Sequence, residues 1–441
     1  MPSAVAPLKS SYATKVTMVL LSLCPYIVVT TAATLMQKPL IKDLHTSKTA
    51  LEMAGGLANA GYAFGAVLAA LLIKKMSMRP LLISFEVLFV AGSVLAAVAP
   101  DTACFTSGRV LQGFATGMML VVALPPLVTG FGVSKLPYTV GIIDMALFGA
   151  TTLGPLIGGD VGAHGSWRLF FWGLAALGLL GIAVQAASVD ATDPLRRDAS
   201  PDLTGIGLAV AATVLPFIGS SFLASEPVIS WYFLPFTVVG LAALVALLIV
   251  EYKRADPVTP VKMLAHSFPV TGIFVAMFTG AAAVAMLELV EEFLLQGLHT
   301  QPLAAGELLW PQIVAVILAA AIFGAVLRTR HITTLAAVGT LVLVAGALGL
   351  AFTSHRTGHG TILLIAASIG FGAGATVSPG LFMAGLSMPS TQLGPTFALV
   401  ELLRSEAAFL VAPILLHVSL GQGTKRPQLD HGISVAGWAL V

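Results

Sequence analysis

The sequence predicts an all-α integral membrane protein with 13–14 transmembrane helices, and three observations carry that prediction. Of 441 residues, 57% are hydrophobic and only 10% are charged, with a mean hydropathy of +0.96. A soluble domain is about a quarter charged, so there are too few polar side chains here to clothe a water-facing surface. The apolar residues also come in runs of the length that a hydrocarbon core about 30 Å thick demands of a helix, roughly 20 residues. Finally, basic residues are unevenly shared between alternate breaks in those runs, as the orientation rule for membrane helices requires. The net charge of +2 leaves no basic excess for nucleic acid. Two cysteines, Cys24 and Cys104, exclude a disulfide framework and a cysteine-rich metal site, and no cofactor or metal is expected.

In chain order the runs fall at 16–36, 49–73, 80–99, 104–128, 138–160, 167–188, 204–224, 230–250, 268–294, 304–327, 333–353, 360–384 and 394–418, giving thirteen candidate spans. Lys9 and Lys15 precede the first, as in a signal peptide. Its length, and the lack of a small-residue cleavage site before Lys38, mark a retained helix instead. The tail from His431 to Val441 would reach only about 16 Å as a helix. It reads as an incomplete fourteenth helix that cannot cross alone. Placing the amino terminus in the cytoplasm puts thirteen of the 22 Lys and Arg residues in inner segments and seven in outer ones, with Arg109 and Arg404 inside spans. This predicts a multi-pass cell-membrane protein with a cytoplasmic amino terminus. Two long charged linkers, Asp190–Asp202 and Glu251–Ser267, divide the chain into a six-helix bundle at 1–189, a linker and inserted helix pair at 190–265, and a second bundle at 266–441. A monomer is expected. With no GxxxxGK[ST] in the sequence, transport driven by nucleotide hydrolysis in this chain is not expected.

The fourth span opens Gly108-Arg-Val-Leu-Gln-Gly-Phe-Ala-Thr-Gly117, and the fifth runs Gly149-Ala-Thr-Thr-Leu-Gly-Pro-Leu-Ile-Gly-Gly159 before Trp167-Arg-Leu-Phe-Phe-Trp172. The RxxQG pattern of Arg109, Gln112 and Gly113, the GxxxxGPxxGG pattern of Gly149, Gly154, Pro155, Gly158 and Gly159, and WRxxFW resemble the major facilitator superfamily, specifically its fourteen-helix drug:proton antiporter branch. The likeness continues through Leu294-Leu-Gln296, Gln301–Gly306, Trp310-Pro311 and Leu393–Arg404. It implies two six-helix bundles about a central cavity with an inserted helix pair. It also implies proton-coupled export of small, mostly lipophilic organic compounds, with the fifth-span motif tied to antiport. On physical grounds the same glycines give that span a flat face for close helix packing, and Pro155 permits a bend.

The chain departs from this pattern at two places. Val29 stands where the exporters carry a membrane-embedded aspartate. Ala70–Leu82 lies in register with their GxLADRxGRRxLL loop, but Lys74 replaces the aspartate, Ala70 and Ser77 replace glycines, and Met78 replaces a basic residue. With Lys75 and Arg79 beside it, Lys74 reverses the electrostatics of a latch that normally pairs an acid with bases.

Charged residues inside spans are functional candidates because hydrocarbon makes them costly, about 2.5–3.5 kcal/mol for a basic or acidic side chain at a helix centre. Arg109 therefore calls for an acidic or carbonyl partner. The acids are Glu86, Asp144, Glu288, Glu291, Glu292, Glu401 and Glu406. Glu86 reads as an interhelical structural bond, while Glu291 and Glu292, near a span end, read as reaching water. Glu401 and Arg404, spaced i, i+3, can neutralise one another, whereas Glu406 points elsewhere and lacks a local counter-charge. Glu406, Asp144, Glu288 and Glu401 are the candidates for carrying protons, and the resemblance implies such a role for an acid in the thirteenth span. The partners expected are protons, membrane lipid and a small-molecule substrate in a cavity walled by Phe, Met and Leu. His355 and His359, spaced i, i+4 in an outer loop without HExxH, read as solvated side chains. Two rival readings remain: proton-coupled uptake or facilitated diffusion of a metabolite, and a non-transporting scaffold or sensor.

Overall fold

In the computed structural model, residues 11–132, 134–188, 203–224, 226–254, 257–421 and 426–441 are described, and among them there is no strand. Lys9, the linker Asp190–Asp202 and Lys425 lie outside the described residues, as does the side chain of Lys74. The helices are α1 (Tyr12–Ala32), α2 (Gln37–Asp43), α3 (Lys48–Lys75), α4 (Met78–Ala97), α5 (Thr102–Thr129), α6 (Leu136–His164), α7 (Trp167–Ser188), α8 (Leu203–Ser221) and α9 (Leu234–Lys253). They continue with α10 (Val261–Leu264), α11 (Ser267–Glu292), α12 (Pro302–Leu308), α13 (Pro311–Val326), α14 (Ile332–Ala351), α15 (His359–Gly385), α16 (Leu393–Gly421) and α17 (Arg426–Leu440). Among the described residues, twelve spans are long and apolar enough to cross a membrane, α12 and α13 counting as one. The thirteenth run is α16, whose 29 residues reach about 43 Å, more than the hydrocarbon is thick.

Helix is the only open-ended structure available to such runs, because lipid offers no partner for a backbone N–H or C=O. Polar side chains at the ends satisfy the leftover donors. Ser47 Oγ accepts from Ala50 N at 3.1 Å, and Asp101 Oδ1 accepts from Cys104 N at 2.8 Å. Three boundaries differ from the sequence expectation. The first helix starts at Tyr12 rather than 16 and stops at Ala32, so Lys38 and Lys42 belong to the short α2. The tenth run is broken at Leu309–Trp310, ahead of Pro311, which cannot donate to the ladder. The tail forms α17, beginning at Arg426 rather than 431. Its contacts stay at helix ends: Gly432 on Ser419 of α16, and Ser434, Gly437 and Trp438 on Leu350–Phe352 of α14.

In the first half α5 packs on α1, α3 and α4, with α7 on α1 and α4 and α6 on α1; in the second, α15 packs on α11, α13 and α14, with α16 on α11. The halves meet where α6 contacts α12, α13 and α15 and where α3 contacts α16. α8 pairs with α9 and packs on both α3 and α16, covering the second of these seams. Missing side chains permit the closest approaches. A Cβ at Gly113 or Gly117 of α5 would collide with the carbonyls of Ala58 or Tyr62 in α3. In α6, Gly154 and Gly158 seat Thr31 and Ala32 of α1, while Gly159 seats Pro302 of α12. The GPxxGG stretch thus holds one neighbour within its bundle and one across the boundary. Gly149, by contrast, faces open space.

Gly158→Val is therefore expected to cost about 1–3 kcal/mol through overpacking against backbone. Gly149→Ala should be neutral or stabilising by up to about 1 kcal/mol from helix propensity. Thermal unfolding of the purified chain in detergent separates the two; equal melting temperatures would contradict the packing described.

Candidate functional site

A cavity of about 590 Å³ lies between the halves, walled by α1, α3, α5, α6, α8, α11, α13, α15 and α16. Leu23, Leu120, Phe148, Phe217, Leu381 and Phe409 supply apolar wall, but no Met lines it, contrary to expectation. Met18, Met118, Met119 and Met286 are spent on packing inside the bundles. In their place the wall carries three cations, Lys48, Arg109 and Arg404, and five carboxyls, Glu52, Glu288, Glu291, Glu292 and Glu401.

One polar chain crosses the cavity from α5 to α16. Arg109 is buried, donates from Nη1 to Gln112 Oε1 at 2.7 Å, and stacks over the Tyr26 ring at 5.4 Å. Gln112 in turn donates to Ser93 Oγ of α4 at 2.8 Å. The carbonyl partner expected of Arg109 is thus a side-chain amide, and no carboxylate pairs with it among the described residues. Tyr26 donates to Asn59 Oδ1 at 2.8 Å and lies parallel to Tyr62, ring centroids 5.7 Å apart. The Tyr62 hydroxyl donates to Glu401 Oε2 across the two halves at 3.3 Å. Arg404 donates to the same oxygen from Nε at 3.0 Å and Nη2 at 2.5 Å, the ion pair that the i, i+3 spacing anticipated.

A second tie closes another part of the cavity. Lys48 Nζ of α3 sits 2.6 Å from Glu292 Oε1 of α11 and 3.7 Å from Glu52. Gln296 bonds the other Glu292 oxygen. Thr34, in the turn after α1, lies beside Glu291. Glu291 and Glu292 are buried in the cavity wall, with Thr34 and Lys48 against them, and do not stand exposed at the span end as their position suggested. Glu288 lies one turn deeper and lines the cavity.

The four proposed proton carriers are not brought together. Glu288 and Glu401 line the cavity; Asp144 and Glu406 do not. Asp144 is fully buried where α6 meets α15, facing Gly374 and the Ser378 hydroxyl, and no cation pairs with it among the described residues. Glu406 is buried on α16 one turn beyond Leu402, which packs on Ala63 of α3 and Ala209 of α8; neither of its oxygens has a partner among the described residues. Glu86 makes the expected interhelical bonds, accepting from Ser22 of α1 at 3.0 Å and Gln185 of α7 at 2.6 Å. Val29 is part of the apolar core. At the altered loop, Lys75 is half-buried and Arg79 donates to the Ala186 carbonyl at 2.9 Å, capping the last turn of α7. Trp167 and Arg168 of WRxxFW both reach Asp43, at 2.9 and 3.5 Å, tying α7 to α2.

Lys48, Glu52, Asn59, Tyr26, Tyr62 and Gln312 were not singled out from the sequence. A signal existed for four of them. Lys48, Glu52, Gly55, Asn59 and Tyr62 follow a helical spacing along one face of the second span, and all five line the cavity.

The sequence model of the Major Facilitator Superfamily matches residues 18–413. The uncharacterised MFS-type transporter YubD of Bacillus subtilis is 29% identical over 362 residues, covering 78% of this chain and 68% of that protein. A multidrug resistance protein B homolog of Mycobacterium tuberculosis is 26% identical over 313 residues, 69% of this chain and 57% of that protein. The chain spans 52% to 68% of the length of the first curated relatives it matches. Among solved structures, a POT family transporter in complex with a thioalcohol-conjugated peptide superposes with a TM-score of 0.70 at 12% identity, covering 98% of this chain and 97% of that one. A peptide transporter POT in complex with sulfate gives 0.67 at 16% identity, covering 100% and 95%. At these identities the two structures show the fold alone.

Removing Lys48 leaves Glu292 buried without its cation. Because the lysine is 35% exposed, Lys48→Met is expected to cost about 1–3 kcal/mol, below the 3–5 of a fully buried pair. Adding Glu292→Gln should restore most of the loss. If the double variant melts no higher than the single one, the pair is not what the lysine serves.

Proposed function

The chain belongs to the major facilitator superfamily of membrane transporters, and on that premise we propose that it exports small, mostly lipophilic organic compounds in exchange for protons, as a member of the fourteen-helix drug:proton branch. The observation that carries the coupling is the pair of buried carboxyls, Asp144 and Glu406, for which the described residues supply no counter-charge, the Ser378 hydroxyl lying beside Asp144. An ionised carboxylate there is costly, and taking up a proton removes the cost. Asp144 lies at the boundary between the halves, and Glu406 lies two residues beyond Arg404 of the Glu401–Arg404 pair. Proton exchange at these positions biases the bundles, residues 1–189 and 266–441, toward one opening, while substrate in the cavity favours the other. Lys48–Glu292 and Tyr62–Glu401 are contacts that such a movement must break and remake. Glu288, exposed to the cavity, is the acid placed to meet substrate directly.

Multidrug-named relatives and the glycine motif of α6 support the outward direction. The charged half of the cavity wall favours a second reading, proton-coupled uptake or facilitated diffusion of a polar metabolite. The altered loop at Lys74–Arg79 favours a non-transporting scaffold. The protein sits in the cell membrane with a cytoplasmic amino terminus on the charge bias, and works as a monomer.

Everted membrane vesicles decide among these. A proton gradient, acid inside, should drive accumulation of an exported dye, and Glu406→Gln or Asp144→Asn should reduce the gradient-driven part by about an order of magnitude, as loss of a coupling free energy near 1.4 kcal/mol implies. Transport in the opposite direction supports uptake, and no flux across a broad substrate panel supports the scaffold. If both variants keep full coupling, these acids do not carry the protons.

A further inference from the structure

The inserted pair reaches the cavity. The last turns of α8 place Phe217, Ser220 and Ser221 in its wall, beside Gly56 of α3 and Phe409 and His417 of α16. The Phe217 and Phe409 rings stand 4.8 Å apart, inclined at 44°. The hydrogens of the polar groups are already committed. Both serine hydroxyls donate to the Phe217 carbonyl, Ser220 at 3.1 Å and Ser221 at 2.7 Å. His417 Nδ1 lies 2.7 Å from the Leu223 carbonyl oxygen. A carbonyl can only accept, so Nδ1 carries the hydrogen, and in the neutral ring Nε2 is left as a bare acceptor. These three side chains therefore offer lone pairs and no spare donor, next to two aromatic faces. Gly56 keeps one acceptor uncovered, since a Cβ there would stand 2.8 Å from Ser221 Oγ.

We propose that this corner, built jointly by α8, α3 and α16, is a subsite for an aromatic group bearing N–H or O–H donors. The ligand ring lies on Phe409, which the buried Phe217 ring backs, and its donors are taken up by Ser221 Oγ and His417 Nε2. The inserted pair thereby acts in selectivity as well as in covering the seam between α3 and α16. An analogue whose donors are replaced by methyl groups forfeits one or two hydrogen bonds and leaves acceptors dry, a loss of about tenfold in affinity. The inference rests on the cavity being where cargo binds, not on the direction or proton coupling of transport.

Two fluorescent dyes make the test: proflavine, with two aromatic amines, and acridine orange, in which those amine hydrogens are methyl groups. Binding to the purified full chain in lipid nanodiscs is read at equilibrium by fluorescence polarisation. The expected result is that His417→Leu and Gly56→Ala each lower the proflavine-to-acridine-orange affinity ratio by about tenfold, with acridine orange still binding and an unchanged melting temperature certifying the fold. His417→Gln, which retains a donor and an acceptor, should keep most of the ratio. An unchanged ratio in both variants, an equal fall for both dyes, or no binding of either dye overturns the subsite. Loss of gradient-driven export with the ratio intact would overturn the exporter reading alone.

Discussion

A charge inside hydrocarbon must find a partner, be wrapped in hydrogen bonds, or be neutralised by a proton, and the organisation of this molecule follows from which of those remedies each charge receives. Arg109 is met by an amide oxygen and an aromatic face. Arg404 is met by Glu401, and Lys48 by Glu292. Glu86 is wrapped by Ser22 and Gln185 inside one bundle. Asp144 and Glu406 receive no counter-charge from the described residues, Asp144 having only the Ser378 hydroxyl beside it. The remedies sort by location. Bonds made within a bundle hold it as a body, whereas Lys48–Glu292 and Tyr62–Glu401 join the two bundles and must be dispensable in some state if the cavity is to open.

Rigid bodies also need close contacts, and glycine supplies them. Where α5 meets α3, and where α6 meets α1, backbone lies on backbone with no room for a methyl group. Such surfaces hold helices as units, which is what rocking of whole bundles requires. The same logic applies at two further positions. Val29 joins the apolar core, and Arg79 engages the Ala186 carbonyl at the carboxyl end of α7, so a cation on a helix terminus anchors the α3–α4 hairpin.

Much of this was legible beforehand. Run length sets the helix count, because lipid thickness is a ruler; the Glu401–Arg404 pair and the Glu86 bond follow from spacing and depth alone. What sequence could not show depends on which faces meet. Glu291 and Glu292 lie near a span end, yet α3 brings Lys48 over them. The tail forms α17, whose Leu429, Ile433 and Ala436 join the apolar cluster of the second half. Cavity polarity was misjudged because the methionines turn inward to their bundles, and the stripe from Lys48 to Tyr62 carries the polar wall. The spacing on the thirteenth run leaves Glu406 without a local counter-charge, whereas the placement of Asp144 and Glu406 off the cavity is a matter of tertiary packing.

The account turns on whether those two carboxyls gain and lose protons in the working protein. Infrared difference spectroscopy of the full chain in lipid, taken between acidic and alkaline buffer, reads the C=O stretch that only a protonated carboxyl shows. The account requires such a band to change with pH and to shrink stepwise in Glu406→Gln and in Asp144→Asn. A spectrum with no pH-dependent carboxyl band, or one untouched by both substitutions, would contradict it.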